Sequence, residues 1–170
     1  MSRHPLETVI NQADGFVLIG HSGEQRFPAF SYHQYTKQKK RFYCLDLGGL
    51  TESRGGTKGG KVYTSVAELP ADHDDLAIIW VHPHTAARAV DVAHEAGCKR
   101  VWFSFKTGHP SAVARARELG MEVVEVGRCP IYYLDDKTPA CKAHTLMVKA
   151  TGLYGQPPRT DAAPKRREMM

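Results

Sequence analysis

Two glycine-rich segments carry the residue types best suited to binding a phosphate group. One spans residues 20–23 and follows the apolar run 16–19; the other spans residues 48–56 and follows the apolar run 42–47. In an open parallel sheet, ligands bind beyond the carboxyl ends of the strands. Backbone N–H groups of glycine loops approach a phosphate closely, and a following helix N-terminus adds a favourable dipole. The two segments therefore predict a site for a phosphate-bearing nucleotide.

The first segment matches the dinucleotide fingerprint GxGxxG only in part. Gly20 is followed by Ser22 and Gly23, and Arg26 stands in place of a third glycine. Ser22 offers a hydroxyl and a backbone donor at the strand tip, and Arg26 is suited to a bidentate phosphate contact. The alternative is that Ser22 caps a turn and Arg26 is solvated. The position at a strand end favours binding.

Asp46 supports a different function, a small NAD(P)-dependent oxidoreductase or dinucleotide-binding subunit. It ends the second apolar run, where nicotinamide enzymes place an acid that binds the ribose 2′-hydroxyl. However, the stretch after it holds four glycines with Arg54 between them and Lys58 and Lys61 nearby. Such a cationic loop favours a ligand with more phosphate than the nicotinamide alternative offers. A chain of 170 residues also leaves little room for the substrate domain of an oxidoreductase.

The elements that must position these loops alternate along the chain. Strands are predicted at 16–19, 42–47, 76–81, 101–105 and 122–126, with a short candidate at 61–63. Helices are predicted at 5–13, 28–40, 85–96, 111–119 and 140–149. Spacings too long for hairpins imply βαβ crossovers. We expect one doubly wound, Rossmann-like α/β domain, with a mostly parallel sheet of about five strands and helices on both faces.

Composition sets the domain limits and the compartment. With 42% apolar residues, the chain can bury one sizeable core, which we expect over residues 1–150, followed by a disordered basic tail at 151–170. The apolar stretches are too short to span a membrane, and the start lacks a secretory signal, so we expect a cytoplasmic protein. The four widely separated cysteines indicate neither a zinc ribbon nor a disulfide framework. The net charge of +5 suits an anionic partner.

The second glycine segment carries a more specific signal. Its pattern Gly48-Gly49-Leu50-Thr51-x-x-Arg54-Gly55-Gly56 resembles the segment Gly-Gly-Val-Thr-Pro-Gly-Lys-Gly-Gly of the succinyl-CoA synthetase α subunit. The likeness continues at residues 81–83, 96–99 and 127–130. From about Phe16 to Pro130, the chain resembles the CoA-binding domain, including its small stand-alone versions. This resemblance implies coenzyme A or an acyl-CoA as the ligand.

The resemblance also implies which residues contact the ligand. These are Ser22, Gly23, Gln25, Arg26, Arg54, Ser104, Phe105 and Lys106. Arg54 stands where the family has a phosphate-binding lysine, and its planar fork suits phosphate. Glu24 contributes at most its backbone, and Lys106 replaces an acidic family residue. Four residues at predicted strand ends complete the candidate site: Gly20, Gly48, His82 and Pro83.

Histidine and cysteine chemistry offers weaker alternatives. His82 and His84, with His21 at another strand end, invite a metal site, but the spacing supplies no defined third ligand, so we expect residues that line the cleft. Cys129 is either a thiol facing the thiol of CoA or a small buried residue.

The expected role is a non-catalytic carrier, sensor or regulator that holds CoA. The phosphohistidine domain and ATP-grasp partner of the synthetase are absent from these 170 residues, and no paired nucleophile and base is recognisable. We expect neither a nucleic-acid nor a membrane partner; a protein partner or a homodimer stays open.

Overall fold

The fold is a parallel sheet covered by helices on both faces. A computed structural model describes residues 3–13, 15–26, 34–35, 37–49 and 61–162. The strands are β1 (Gly15–Gly20), β2 (Arg41–Asp46), β3 (Val62–Tyr63), β4 (Leu76–Trp80), β5 (Arg100–Phe103) and β6 (Glu122–Val126). Its helices include α1 (Pro5–Gln12), α2 (Ala86–Glu95), α3 (Pro110–Glu118) and α4 (Pro139–Ala150).

The strand order is β3-β2-β1-β4-β5-β6, and every pairing between these strands is parallel. This is the order of a doubly wound dinucleotide-binding sheet. The predicted fold class is therefore confirmed. The sheet has six strands rather than about five, because the short strand β3 pairs with β2 through Cys44 and Val62.

The apolar runs of the strands are explained by burial on both sides. Along β1, Val17 and Ile19 pack in a core with α2 and α3, whereas Phe16 and Leu18 pack in a second core with α1. The buried positions of α2 recur at helical spacing and lie in the first core: Ala86, Ala89, Val90 and Ala93. Because helices cover both faces of the sheet, we expect a ligand to bind at the ends of the strands rather than on a face.

The helix predicted at 28–40 falls largely outside the described residues. Tyr35, which is described, is fully buried, and its ring meets the Phe16 ring edge-on with centroids 4.7 Å apart. No helix within the described ranges is long and apolar enough to cross a membrane.

A buried arginine anchors the chain beyond α4. The Arg128 guanidinium donates to both carboxylate oxygens of Glu125, at 2.9 and 2.5 Å, and to the carbonyls of Leu153, Gln156 and Pro157. Both charged side chains are buried, with 1% and 0% exposed. The first part of the segment expected to be disordered, residues 151–162, thus contacts the domain, and residues 163–170 lie outside the described residues.

Candidate functional site

The strand order places the candidate site at the carboxyl ends of β1 and β4. The chain winds outward from β1 towards β2 and β3 on one side, and the later strands extend from β4 on the other. Such a reversal leaves a crevice between the loops that follow the two central strands. Gly20 and Trp80 are register partners at this position. The loops that start there are therefore the ones that a ligand meets first.

The loop after β1 is a closed turn. Residues Ser22–Glu24 form one turn of 3-10 helix, and His21 and Arg26 exchange two backbone hydrogen bonds of 3.2 Å. Gln25 closes the turn in the left-handed region, with φ of 55°. This closure brings Arg26 back to the end of β1, beside the crevice.

Asp46, at the end of β2, holds this turn in place. Its Oδ1 accepts the Ser22 N–H at 2.7 Å, and its Oδ2 accepts the Ser22 hydroxyl at 2.7 Å. Asp46 is buried, with 1% of its surface exposed. Hydrogen bonds to an ionised acceptor are about twice as strong as neutral ones. The carboxylate that a nicotinamide enzyme would direct at a ribose is here directed at the first loop.

Gly48 lets the second glycine segment start directly against the first. The Leu47 N–H donates to the Gly20 carbonyl at 2.9 Å, which fixes the chain just before Gly48. A Cβ at position 48 would lie 2.5 Å from Ser22 Oγ and 3.1 Å from the Gly23 nitrogen. Any other residue here would displace the Ser22 hydroxyl and press on the backbone of Ser22 and Gly23. The start of the second glycine segment is thus packed against the first loop.

Glu24 joins the first loop to the loop after β4. Its Oε2 accepts the His82 N–H at 2.8 Å, and its Oε1 accepts the Thr85 hydroxyl. The His84 ring nitrogen lies 3.5 Å from Oε1. His82 caps the turn Pro83–Thr85, and the other two partners lie within this turn, which leads into α2. Glu24 therefore fixes the width of the crevice between β1 and β4, a role that the sequence did not indicate.

The pKa of Glu24 is lowered, and this makes the stability that its hydrogen bonds contribute depend on pH. Burial acts to raise the pKa, but the hydrogen bonds from Thr85 and His82 and the positive field of His21 and His82 outweigh it and hold the pKa below its ordinary 4.5. A group whose pKa is lowered by folding stabilises the fold at pH values above its pKa in the unfolded chain. This contribution is lost as the pH falls through its pKa in the folded chain.

We expect Glu24→Gln to lower the free energy of unfolding at pH 7, and the gap from the native chain to shrink as the pH falls below 4.5. Urea unfolding of both proteins between pH 7 and pH 3 measures this gap. The control is Glu122→Gln, at an exposed glutamate that begins β6. A gap that is independent of pH would show that the carboxylate charge of Glu24 contributes nothing.

Arg26 and two aromatic residues line the β5 side of the crevice. The Arg26 guanidinium lies 5.9 Å from the centroid of the Trp80 ring, and its Nη1 donates to the Phe105 carbonyl at 3.4 Å. Phe105 is 49% exposed, which is unusual for a ring at the end of a buried strand. Lys106, with φ of 54°, places its Nζ 5.1 Å from the Phe105 ring centroid. A ligand here meets two cations and an apolar face.

Two buried ring nitrogens also flank the crevice. His21 Nδ1 and Trp80 Nε1 are buried and have no hydrogen-bond partner among the residues that the structure describes. One follows β1 and the other ends β4, which are the two strands that bound the switch point. Buried polar atoms are nearly always hydrogen-bonded in folded proteins. Both atoms therefore fit a site whose polar partner is a bound molecule.

Cys129 follows β6 at this edge and is partly buried, packed against the core on the α1 face of the sheet. Burial raises the pKa of the thiol to about 11, although the Ile131 and Tyr132 N–H groups and the Ser104 hydroxyl act in the opposite direction. The thiolate is the reactive form of cysteine. The raised pKa therefore favours the interpretation of Cys129 as a small packed residue over that of a reactive thiol.

We expect iodoacetamide to modify Cys129 of the folded chain at pH 8 about a hundredfold more slowly than the same residue in urea, because few of its thiols ionise. Mass spectrometry of each cysteine peptide measures the two rates. Labelling in urea is the internal control for reagent and peptide recovery. Rapid labelling of the folded chain, slowed by added CoA, would instead identify a reactive thiol at the site.

The structure brings most of the candidate residues to one edge of the sheet. Gly20, Ser22, Gly23, Gln25, Arg26, Gly48, His82, Pro83, Ser104, Phe105 and Lys106 all lie at or just beyond the carboxyl ends of the strands. Arg54 lies outside the described residues. Among the residues that are described, no three histidine, cysteine or acidic side chains are grouped to hold a metal. His82 and His84 stack on each other, with ring centroids 5.4 Å apart.

Comparisons with known proteins identify the fold and the family. One similar solved structure is that of Prb, a protein redesigned for binding, which is 24% identical over 75% of this chain and 86% of its own, with a TM-score of 0.59. A second is that of a hypothetical protein from Pyrococcus horikoshii OT3, which is 21% identical over 78% of this chain and 94% of its own, with a TM-score of 0.62. The apo form of a dinucleotide-forming acetyl-coenzyme A synthetase 1 from Ca. Korarchaeum cryptofilum is 21% identical and covers 71% of this chain and 27% of its own, with a TM-score of 0.53.

At these identities the structural likenesses establish the fold alone. No curated protein matches the chain. The family model described as CoA binding domain matches residues 15–135, which include all six strands of the sheet and the loops at its carboxyl edge. The chain therefore belongs to the CoA-binding domain family.

Proposed function

We propose that the protein binds coenzyme A or an acyl-CoA at the carboxyl edge of its sheet. The observation that carries the proposal is the joining of the two glycine segments at the switch point. Asp46 fixes the Ser22 turn with two hydrogen bonds, and Gly48 packs against that turn. A turn held this closely presents its backbone and Arg26 to a ligand without first having to be ordered, which lowers the cost of binding.

The residues at this edge fit a phosphorylated ligand with a long apolar arm. Arg26 supplies a guanidinium beside the first loop, and Arg54, in the second loop, is proposed to contact phosphate as well. The exposed ring of Phe105 supplies an apolar surface beyond the end of β5. We assign the phosphates to the glycine loops and the pantetheine arm to the path across β1 and β4 towards β5.

We further propose that the protein holds its ligand without transforming it, as a carrier, sensor or regulator. This proposal is supported by the contacts of the acidic and thiol groups at this edge. Asp46 and Glu24 accept hydrogen bonds that hold loops together, and burial raises the pKa of Cys129. General bases and nucleophiles need instead to reach the reacting atoms of a substrate.

Thermal unfolding with separate ligands tests the binding proposal. CoA, acetyl-CoA, NADH, NADPH and a short oligonucleotide are compared at equal concentration. A ligand at 100 times its dissociation constant adds about 2.7 kcal/mol to the stability of the folded state. We expect CoA or acetyl-CoA to give the largest rise in Tm. Stabilisation by NADPH and not by CoA would contradict the proposal and favour the dinucleotide alternative based on Asp46.

Replacement of Arg54 is expected to weaken CoA binding about tenfold or more, because the contact between a guanidinium and a phosphate is a charge-assisted hydrogen bond. Calorimetric titration of Arg54→Ala with CoA measures the loss. Arg41→Ala is the matched control, since Arg41 starts β2 at the opposite edge of the sheet and pairs with Asp72. Equal affinities in the two variants would remove Arg54 from the site.

A further inference from the structure

A strip of apolar residues lies on the outer surface of α4. Leu146 and Met147 are 66% and 68% exposed, and apart from Phe105 they are the only large apolar side chains that are exposed within the described ranges. Ala143 and Ala150, which are also exposed, complete the spacing i, i+3, i+4 and i+7. Residues at this spacing lie on one face of a helix. These four residues form the outer strip of α4.

The outer strip lies opposite the side by which α4 packs on the domain. The buried residues of α4 are Thr145 and Val148, and Val148 belongs to the core that also contains Leu6 of α1. Successive residues of an α-helix are about 100° apart around its axis, so Ala150 points away from the side that carries Val148. α4 therefore has a second apolar side that the fold does not use. Grouped apolar residues on a surface mark a site of interaction.

The surface around the outer strip is positively charged. Lys142 and Lys149 are exposed, and because they are seven residues apart they lie on the same flank of the strip. No acidic residue occurs between positions 137 and 160 of the sequence. The acidic residues that border this stretch, Asp136 and Asp161, each pair with a basic side chain elsewhere in the domain. The cations of α4 are therefore available to an anionic partner.

This charge decides which occupant is complementary to the strip. A second copy of the chain would bring Lys142 and Lys149 against an α4 that offers no carboxylate. Residues 163–170 carry three cations and one acidic residue, so this part of the chain has the same sign of charge as the helix. A partner whose apolar side chains are flanked by carboxylates matches both the strip and its charge.

We propose that the outer strip of α4 is the docking surface for an acidic amphipathic helix of a partner protein. Leu146 and Met147 pack between apolar side chains of the partner helix, and Lys142 and Lys149 face its carboxylates. Methionine adapts its shape to apolar surfaces and is common where proteins bind partners. α4 has 12 residues and is about 18 Å long, so the contact is small and suits a transient complex. The inference does not depend on CoA binding.

A membrane surface is the main alternative, because it also attracts cations that lie beside apolar side chains. Helices that lie in a membrane interface bury an apolar face rich in tryptophan, phenylalanine or leucine. The outer strip has one leucine and no aromatic residue, and the other apolar side of α4 is already packed in the domain. These observations favour a protein partner.

Two synthetic peptides of about three heptads test the proposal. The first has leucine at the apolar positions of each heptad and glutamate on both flanks; the second has lysine in place of glutamate. Fluorescence anisotropy of the labelled peptides measures their affinity for the full chain. The methyl NMR signals of Leu146 and Met147 report whether the peptide lies on the outer strip.

We expect the glutamate peptide to bind the native chain and the lysine peptide not to bind. The double variant Leu146→Ser with Met147→Ser should weaken binding at least tenfold, since it removes both apolar anchors. Lys142→Gln with Lys149→Gln should weaken binding about threefold and make the remaining affinity less dependent on salt. The control Lys99→Gln removes an exposed lysine just before β5 and should bind as the native chain does.

Equal binding of the two peptides, binding of neither, or binding that the Leu146 and Met147 replacements do not alter would overturn the proposal. Co-sedimentation with phosphatidylserine vesicles tests the membrane alternative, and sedimentation velocity tests self-association. Vesicle binding or dimerisation that is lost in the same double variant would assign the outer strip to that occupant and contradict the proposal. CoA titration of these variants should match that of the native chain, so a failure here leaves the proposed function standing.

Discussion

Replacement of Asp46 by asparagine is expected to weaken CoA binding about a hundredfold and to lower the free energy of unfolding by about 2–3 kcal/mol. The carboxylate accepts two hydrogen bonds from Ser22 in a buried position. An amide offers one acceptor oxygen and places an NH₂ group against the other donor. The Ser22 turn then loses its support, and so does Gly48, which packs on it.

The variant Ser22→Ala is the graded control for this prediction. It removes the hydroxyl donor to Oδ2 but keeps the N–H donor to Oδ1, so we expect about 1 kcal/mol of lost stability and a smaller loss of affinity. Titration with CoA and urea unfolding measure both quantities. If Asp46→Asn instead leaves stability unchanged and removes only NADH binding, Asp46 contacts a ribose as in nicotinamide enzymes.

Replacement of Arg128 by methionine is expected to destabilise the fold by about 3–5 kcal/mol, because Glu125 is left as a buried charge without its partner. For a chain of this size, each kcal/mol moves Tm by about 2–4 °C, so the shift is about 10 °C. The carbonyls of Leu153, Gln156 and Pro157 lose a donor at the same time. Calorimetric unfolding measures the change.

The double variant Glu125→Gln with Arg128→Met separates two causes of that loss. Removal of both charges abolishes the penalty of an unpaired carboxylate, so we expect the double variant to be more stable than Arg128→Met alone. Limited proteolysis beyond residue 150 then reports on the anchoring of the C-terminal segment. A double variant as unstable as the single one would mean that the hydrogen bonds to residues 153–157, rather than the charge pair, hold this region.

The strands were predictable from the sequence because burial on both faces demands continuous apolar runs. The apolar run 16–19 lies within β1, and the run 76–81 covers β4, so both strands lie where they were expected. β3 was harder to count as a strand, since two residues carry almost no periodicity. Its assignment depends on the partner Cys44 on β2, which is a tertiary contact and not a local one.

The position of the site was predictable, but the roles of its acidic residues were not. Glycine loops at strand ends are visible in a sequence, and the strand order of the fold brings them to one edge. By contrast, Asp46 was expected as a ribose ligand in the nicotinamide alternative, and Glu24 was expected to contribute at most its backbone. Each binds the backbone of another loop, across 24 residues for Asp46 and 58 for Glu24. Sequence spacing holds no information about such pairings.

The hydrogen bonds between Arg128 and residues 153–157 could not be predicted, for the same reason. The composition of the C-terminal segment from Gln156 onward is polar and rich in proline, which favours disorder. The residue that holds it, Arg128, lies more than twenty residues earlier and donates to carbonyl groups, which every sequence contains.

The contact between Gly48 and Ser22 has a consequence for engineering this domain. Because a Cβ at position 48 would lie 2.5 Å from Ser22 Oγ, the geometry of each glycine segment is a constraint on the other. If only one of the two glycine segments were transplanted from a related protein, it would not pack correctly against the other, even if its own ligand contacts were suitable. The transferable module is therefore the pair of loops together with Asp46, and libraries that alter ligand preference should vary both segments at once.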